Sequence, residues 1–152
     1  MTDKNAFKSA SLLALRVGTG LLLALWGALR LMKPAAGPGL AEKYYSGFMG
    51  METIQIAFGS AEVLVGLLVI LGLFRRVAYA LQALVLVLGA AVLWRYLLDP
   101  MGLYLLDRET SQILFFPSIT VAAASLVLLA FRDADRWSLD VLLSRRRDAV
   151  TR

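Results

Sequence analysis

The chain has 152 residues, of which 59% are hydrophobic and 18% charged, and its mean hydropathy is +0.71. A soluble domain of this size is nearer half apolar and about a quarter charged, so composition favours a single integral membrane domain. Cysteine and histidine are both absent, which removes disulfides, thiol chemistry, haem ligation through imidazole or thiolate, and the usual zinc sites, so neither haem nor metal is expected. The formal charge of +5 is read as attraction to anionic lipid headgroups rather than to nucleic acid.

A short polar lead with Lys4 and Lys8 precedes the first apolar block, Leu12 to Leu29, broken only by Arg16. The block is too long for a signal peptide and lacks a small-x-small cleavage site, so it reads as a retained helix over 11–32. Arg16, Gly20, Gly27 and Arg30 fall near one of its faces. Lys33-Pro34 ends it, because proline disfavours helix in the residue before it. The stretch 40–50, with Tyr44, Tyr45 and Phe48, reads as an interfacial segment at headgroup level.

The second span, 53–74, carries Glu62 near its middle. Glu52, Gln55, Gly59, Glu62 and Gly66 are spaced by threes and fours and share a face that is small and polar. A carboxylate at that depth costs roughly 3 kcal/mol on insertion scales, so it must face protein or water. Arg75-Arg76 forms a basic turn into the third span, 77–98, where Gln82, Gly89 and Tyr96 repeat at seven. Thr110 or Ser111 is a candidate cap for the last span, 112–131, and Pro117 predicts a kink within it. Ser111, Ser118 and Ser125 form a small-residue stripe of the kind found where membrane helices touch. The tail, 133–150, reads as an amphipathic helix lying on the membrane, anchored by Trp137 and by Arg145 to Arg147.

Ten of the sixteen lysines and arginines fall on the side of the termini and of Arg75-Arg76, and five on the other. The positive-inside rule then places both termini in the cytoplasm. The expected fold is an all-α integral membrane four-helix bundle. On the opposite side Arg30, Lys33, Glu52, Arg95, Asp99, Asp107, Arg108 and Glu109 form either a polar mouth or a rim of solvated loop charges.

Several fragments occur together in one order: LALRVGTG and WGALRLMK in the first helix, a glycine-rich loop, AEVLVGLLVILGLFRR in the second, and RWSLD in the tail. The set resembles the DoxX family of small four-helix membrane proteins, over about Leu12 to Asp140. By that resemblance Arg16, Gly27, Lys33, Glu62, Gly66, Gly72 and Arg76 match patterned positions. The family name comes from subunits associated with quinol oxidation, so the resemblance implies the fold and a link to quinone.

The sharpest chemical candidates are Glu62 and Arg16. A carboxylate within a bundle can take up and release protons, with Arg16 tuning it. Gln55 and Gln82 could hydrogen-bond a quinone carbonyl, Gly59, Gly66 and Gly89 could let its ring approach the backbone, and Tyr96 extends the face of Gln82. The competing reading is that Arg16 and Glu62 pair and fix helix packing. Three functions follow: a quinone- or quinol-linked redox component or accessory subunit, a non-catalytic adaptor that docks a partner protein, and a small-molecule carrier. Membrane lipid and other subunits or further copies of the chain are the expected partners. Whether the chain is an enzyme is left open at this level.

Overall fold

The structure is a computed structural model that describes residues 3–36, 38–39, 42–43, 50–109 and 111–150. The expected interfacial segment, with Tyr44, Tyr45 and Phe48, falls almost wholly outside those residues, as does Thr110. The described chain is all-helical, and four of its helical segments are long and apolar enough to cross a membrane: Lys4–Met32, Glu52–Leu71, Arg75–Val92 and Ile113–Ala130. The outside of the bundle is as apolar as its core. Leu64, Leu67, Leu84, Leu88 and Leu126 point outward, whereas Arg16, Gln55, Glu62, Gln82 and Ser125 are buried. A surface of leucine with the polar side chains of the spans turned inward is what lipid as solvent selects, and the chain is a multi-pass membrane protein.

Helix α1 (Asp3–Met32) has 30 residues and is about 45 Å long at 1.5 Å per residue, so it overshoots a hydrocarbon core of about 30 Å. It begins eight residues before the expected 11, and its first turns project from the end that carries the basic residues, called the basic end below. α2 (Glu52–Leu71) stops at Gly72, which takes φ +68°. There the Gly72 N–H donates to the Val69 carbonyl and the Leu73 N–H to the Leu68 carbonyl, closing the helix in the manner that favours glycine. α3 (Arg75–Val92) ends earlier than the expected 98. The chain breaks at Leu93 and resumes as the short α4 (Trp94–Leu98), where Trp94, Arg95 and Tyr96 suit a headgroup layer.

The following loop is organised by Asp99. Its buried carboxylate accepts N–H bonds from Leu103, Tyr104, Leu105 and Leu106 at 2.7–3.1 Å. Burial alone would push this carboxyl up, but the four donors together hold it well below the usual carboxylate range. A 3-10 turn (Ile113–Phe115) leads into α5 (Pro117–Ala130). Pro117 does not kink a helix as the sequence suggested. It starts one, at the first position, where a missing N–H costs nothing. Ser111 is not the cap either; its hydroxyl donates to the Arg108 carbonyl. A further 3-10 turn (Arg132–Ala134) and the final α6 (Leu139–Val150) complete the described chain.

The four long segments form a ring: α1 packs on α2, α2 on α3, α3 on α5, and α5 more loosely on α1. The α1–α2 seam is set by glycine. A Cβ on Gly27 would lie 2.5 Å from the Gly59 carbonyl oxygen, and one on Gly66 would lie 2.7 Å from the Gly20 oxygen. Two backbones can approach this closely only where both helices lack side chains, and in lipid such packing replaces the hydrophobic drive. Toward the basic end Val69, Ala78, Tyr79 and Leu128 form a fully enclosed apolar core.

Candidate functional site

Buried charge collects at two levels of the bundle. The first lies midway along α2. Glu62 is 3% exposed and accepts a bond from Arg30 Nε at 2.9 Å, while Arg30 Nη1 donates to Gln55 Oε1. The guanidinium also sits 5.3 Å from the centre of the Phe58 ring. Arg30 belongs to the last turn of α1 and reaches so deep because Gly27 and Gly59 bring the two backbones together beside it. With the arginine in place the pair carries no net charge, which offsets the cost of a lone carboxylate at this depth.

The second cluster closes the basic end. Arg16, 3% exposed, donates through Nη1 to Asp135 Oδ2 at 2.9 Å and through Nη2 to the Trp137 carbonyl at 3.2 Å. The Tyr79 hydroxyl donates to the same Asp135 oxygen at 2.7 Å. Arg75 Nη1 donates to the carbonyls of Arg132 and Asp135, and the Ser138 hydroxyl also donates to the latter. Asp140 accepts the N–H groups of Phe74 and Arg75, so it caps α3, and its own N–H donates to the Gly72 carbonyl. Gly72 must be glycine for this closure as well as for its φ. A Cβ there would lie 2.5 Å from Arg16 Nη1 and 2.6 Å from the Ser138 Cβ.

The structure therefore separates Arg16 and Glu62, the two residues that the sequence put forward as a pair. Arg16 and Arg30 are fourteen positions apart on one helix, about 21 Å, and it is Arg30 that meets Glu62. Arg16 cannot tune that carboxylate directly; it holds the tail. Arg30 and Asp99 also leave the expected outer mouth, the first turned inward to Glu62 and the second committed to its own loop. Gly59 and Gly66 are taken up by α1 rather than left open to a flat ring. Tyr96 lies beyond the third span on α4, edge-on to Phe115 with ring centres 5.1 Å apart. Gln55 joins the Glu62 cluster. Gln82 is fully buried on α3, and neither atom of its amide has a hydrogen-bond partner among the described residues. The segment 133–140 is not laid on the membrane as expected: Asp135 and Ser138 are fully buried beneath the α2–α3 turn. Asp135 and Tyr79 are site residues that sequence reasoning missed. The signal for Asp135 was an acid beside RWSLD in a chain whose Arg16 needed a partner.

Among the described residues no group of three or more carboxylates is placed to hold a metal ion. A scan against protein-family models, a search of curated proteins and a search of solved structures each find no match to this chain.

Proposed function

We propose that the chain is a non-catalytic accessory subunit, a DoxX-like bundle that anchors a partner protein in a bacterial or archaeal cell membrane, with both termini in the cytoplasm. The observation that carries this reading is the pairing of Glu62 with Arg30 and Gln55 across a glycine-packed seam. Among the described residues Glu62 is the one acid midway along a span, and it is spent on holding two helices together. The excess of basic residues at the end that bears both termini supports the orientation.

The test replaces the ion pair of the cluster by apolar residues. Arg30→Met alone leaves Glu62 buried without its arginine and costs about 3–5 kcal/mol, whereas Arg30→Met with Glu62→Leu recovers most of that loss, with Gln55 keeping only the cost of its missing bond from Arg30. Thermal unfolding in detergent measures both. Where membranes carrying the wild-type chain show quinol-dependent turnover, the double variant should keep it. A double variant that is as stable as wild type but has lost that turnover would overturn the anchor reading.

One observation favours the quinone-linked reading as a second possibility. The Gln82 amide is enclosed with no hydrogen-bond partner among the described residues, and its Nε2 would suit a quinone carbonyl oxygen. Gln82→Leu distinguishes the two. The anchor reading expects equal or higher stability and unchanged turnover, because an unsatisfied polar group is removed. The quinone reading expects turnover to fall while stability holds.

A further inference from the structure

A cleft of about 340 Å³ opens at the basic end, between the α2–α3 turn and the Arg132–Ala134 turn. Arg75, Arg76 and Arg132 line it, with Asp133 and Asp140. The two acids do not cancel the three cations evenly. Asp140 is committed to the N–H groups of Phe74 and Arg75 and lies 3.6 Å from Arg75 Nε. The Asp133 side chain is 88% exposed and its nearest oxygen is 3.8 Å from Arg132 Nε, a contact that water screens. Arg76 has no hydrogen bond or ion pair among the described residues. One guanidinium is thus free and a second nearly so, and guanidinium matches phosphate oxygens two at a time.

The lip of the cleft has the opposite character. Phe74 and Val77 line it and are 69% and 60% exposed. Phe74 is also the one non-glycine residue with positive φ among the described residues, at 49°. A bulky residue in that region is strained, and here the Asp140 carboxylate holds its N–H in place. The turn thus keeps an aromatic ring pointing outward beside the arginines, where α2 ends and the third span begins. Cations at headgroup height next to apolar side chains at the edge of the hydrocarbon fit a molecule with both features.

We propose that this cleft binds the phosphate of an anionic phospholipid, with Arg76 and Arg132 on the headgroup and Phe74 and Val77 against the first part of the acyl chains. The site does not depend on the anchor function. A free anion has no use for the apolar lip, which is why lipid is the occupant.

The test uses the full chain reconstituted in vesicles of phosphatidylcholine with or without phosphatidylglycerol, with bound lipid read by native mass spectrometry. Wild-type protein should retain phosphatidylglycerol preferentially. Arg76→Gln and Arg132→Gln should each lower that retention roughly fivefold, and Asp133→Asn should raise it. The Arg132 side chain can be changed without loss of the Arg75 bond, which goes to the Arg132 carbonyl. Arg76 is exposed, and Arg76→Lys should restore part of the retention if folding is intact. Arg145→Gln with Arg146→Gln removes the same kind of charge from α6 and should leave retention within about twofold. Equal losses from the α6 pair and from the cleft arginines would mean diffuse attraction and would overturn the site. Displacement of phosphatidylglycerol by millimolar inorganic phosphate or glycerol phosphate would overturn the lipid assignment in favour of a free phosphate ligand.

Discussion

Asp135 carries more of the architecture than any acid within a span. It is fully buried, and the same oxygen accepts from both Arg16 and Tyr79, joining the first helix, the third and the tail through one carboxylate. Asp135→Ala leaves Arg16 buried without its counter-ion and should cost about 3–5 kcal/mol. Tyr79→Phe removes one bond to a charged acceptor and should cost about 1.5–3 kcal/mol. Thermal unfolding of the two variants in detergent ranks them, and Tyr79→Phe as the more harmful would contradict the arrangement. Asp99 makes a different prediction. Its folded-state value is depressed below the ordinary 3.8 by four backbone donors, so its contribution is fully present at neutral pH. That contribution starts to decline once pH drops below the ordinary value and is lost as pH falls through the folded one. Protease sensitivity of the 100–109 loop should stay flat from pH 7 to about 5, and Asp99→Ala should be cleaved faster throughout that range.

Among the helices, the α1–α2 seam is the rigid unit. Its glycines differ from the others in what surrounds them, and this can be tested residue by residue. Gly27→Ala forces a methyl group to within 2.5 Å of a backbone oxygen that cannot move aside, and overpacking of this kind costs about 1–3 kcal/mol. Beyond its own turn of α3, Gly89 has no atom of a described residue within 4 Å of where a Cβ would stand. Gly89→Ala should be neutral or stabilise by about 0.5–1 kcal/mol through helix propensity. Unfolding midpoints of the two variants should therefore move in opposite directions. The α1–α5 side is looser: Gly18, Thr19 and Thr120 border a groove of about 220 Å³ there, so the ring of helices is tight on one side and open on another.

Across the whole molecule the tail and the α2–α3 turn lock together at the end where α1 begins, so an even number of crossings returns the chain to its starting side. Because the chain has no cysteine of its own, single cysteines report this cleanly. Lys4→Cys and Arg145→Cys should be labelled by an impermeant maleimide from one face of sealed vesicles and Asp107→Cys from the other. Labelling of Lys4→Cys and Arg145→Cys from opposite faces would refute the ring.

The four crossings were legible from sequence because each is a long apolar run, and the length needed to cross hydrocarbon is fixed by the bilayer rather than by any neighbour. The buried face of α2 was legible for a similar reason: Gln55, Gly59, Glu62 and Gly66 could not face lipid. Partner choice was not. Arg16 and Arg30 share a face of α1, and nothing along the chain says which one meets Glu62. Only the height at which Gly27 crosses Gly59 decided for Arg30. The tail misled for a related reason. A short charged segment after the last span reads as surface-bound, and only its return beneath Gly72 gave Asp135 two partners and a buried place. Local composition determined which segments enter the membrane; the register between helices, a property of the packed whole, determined which charges pair.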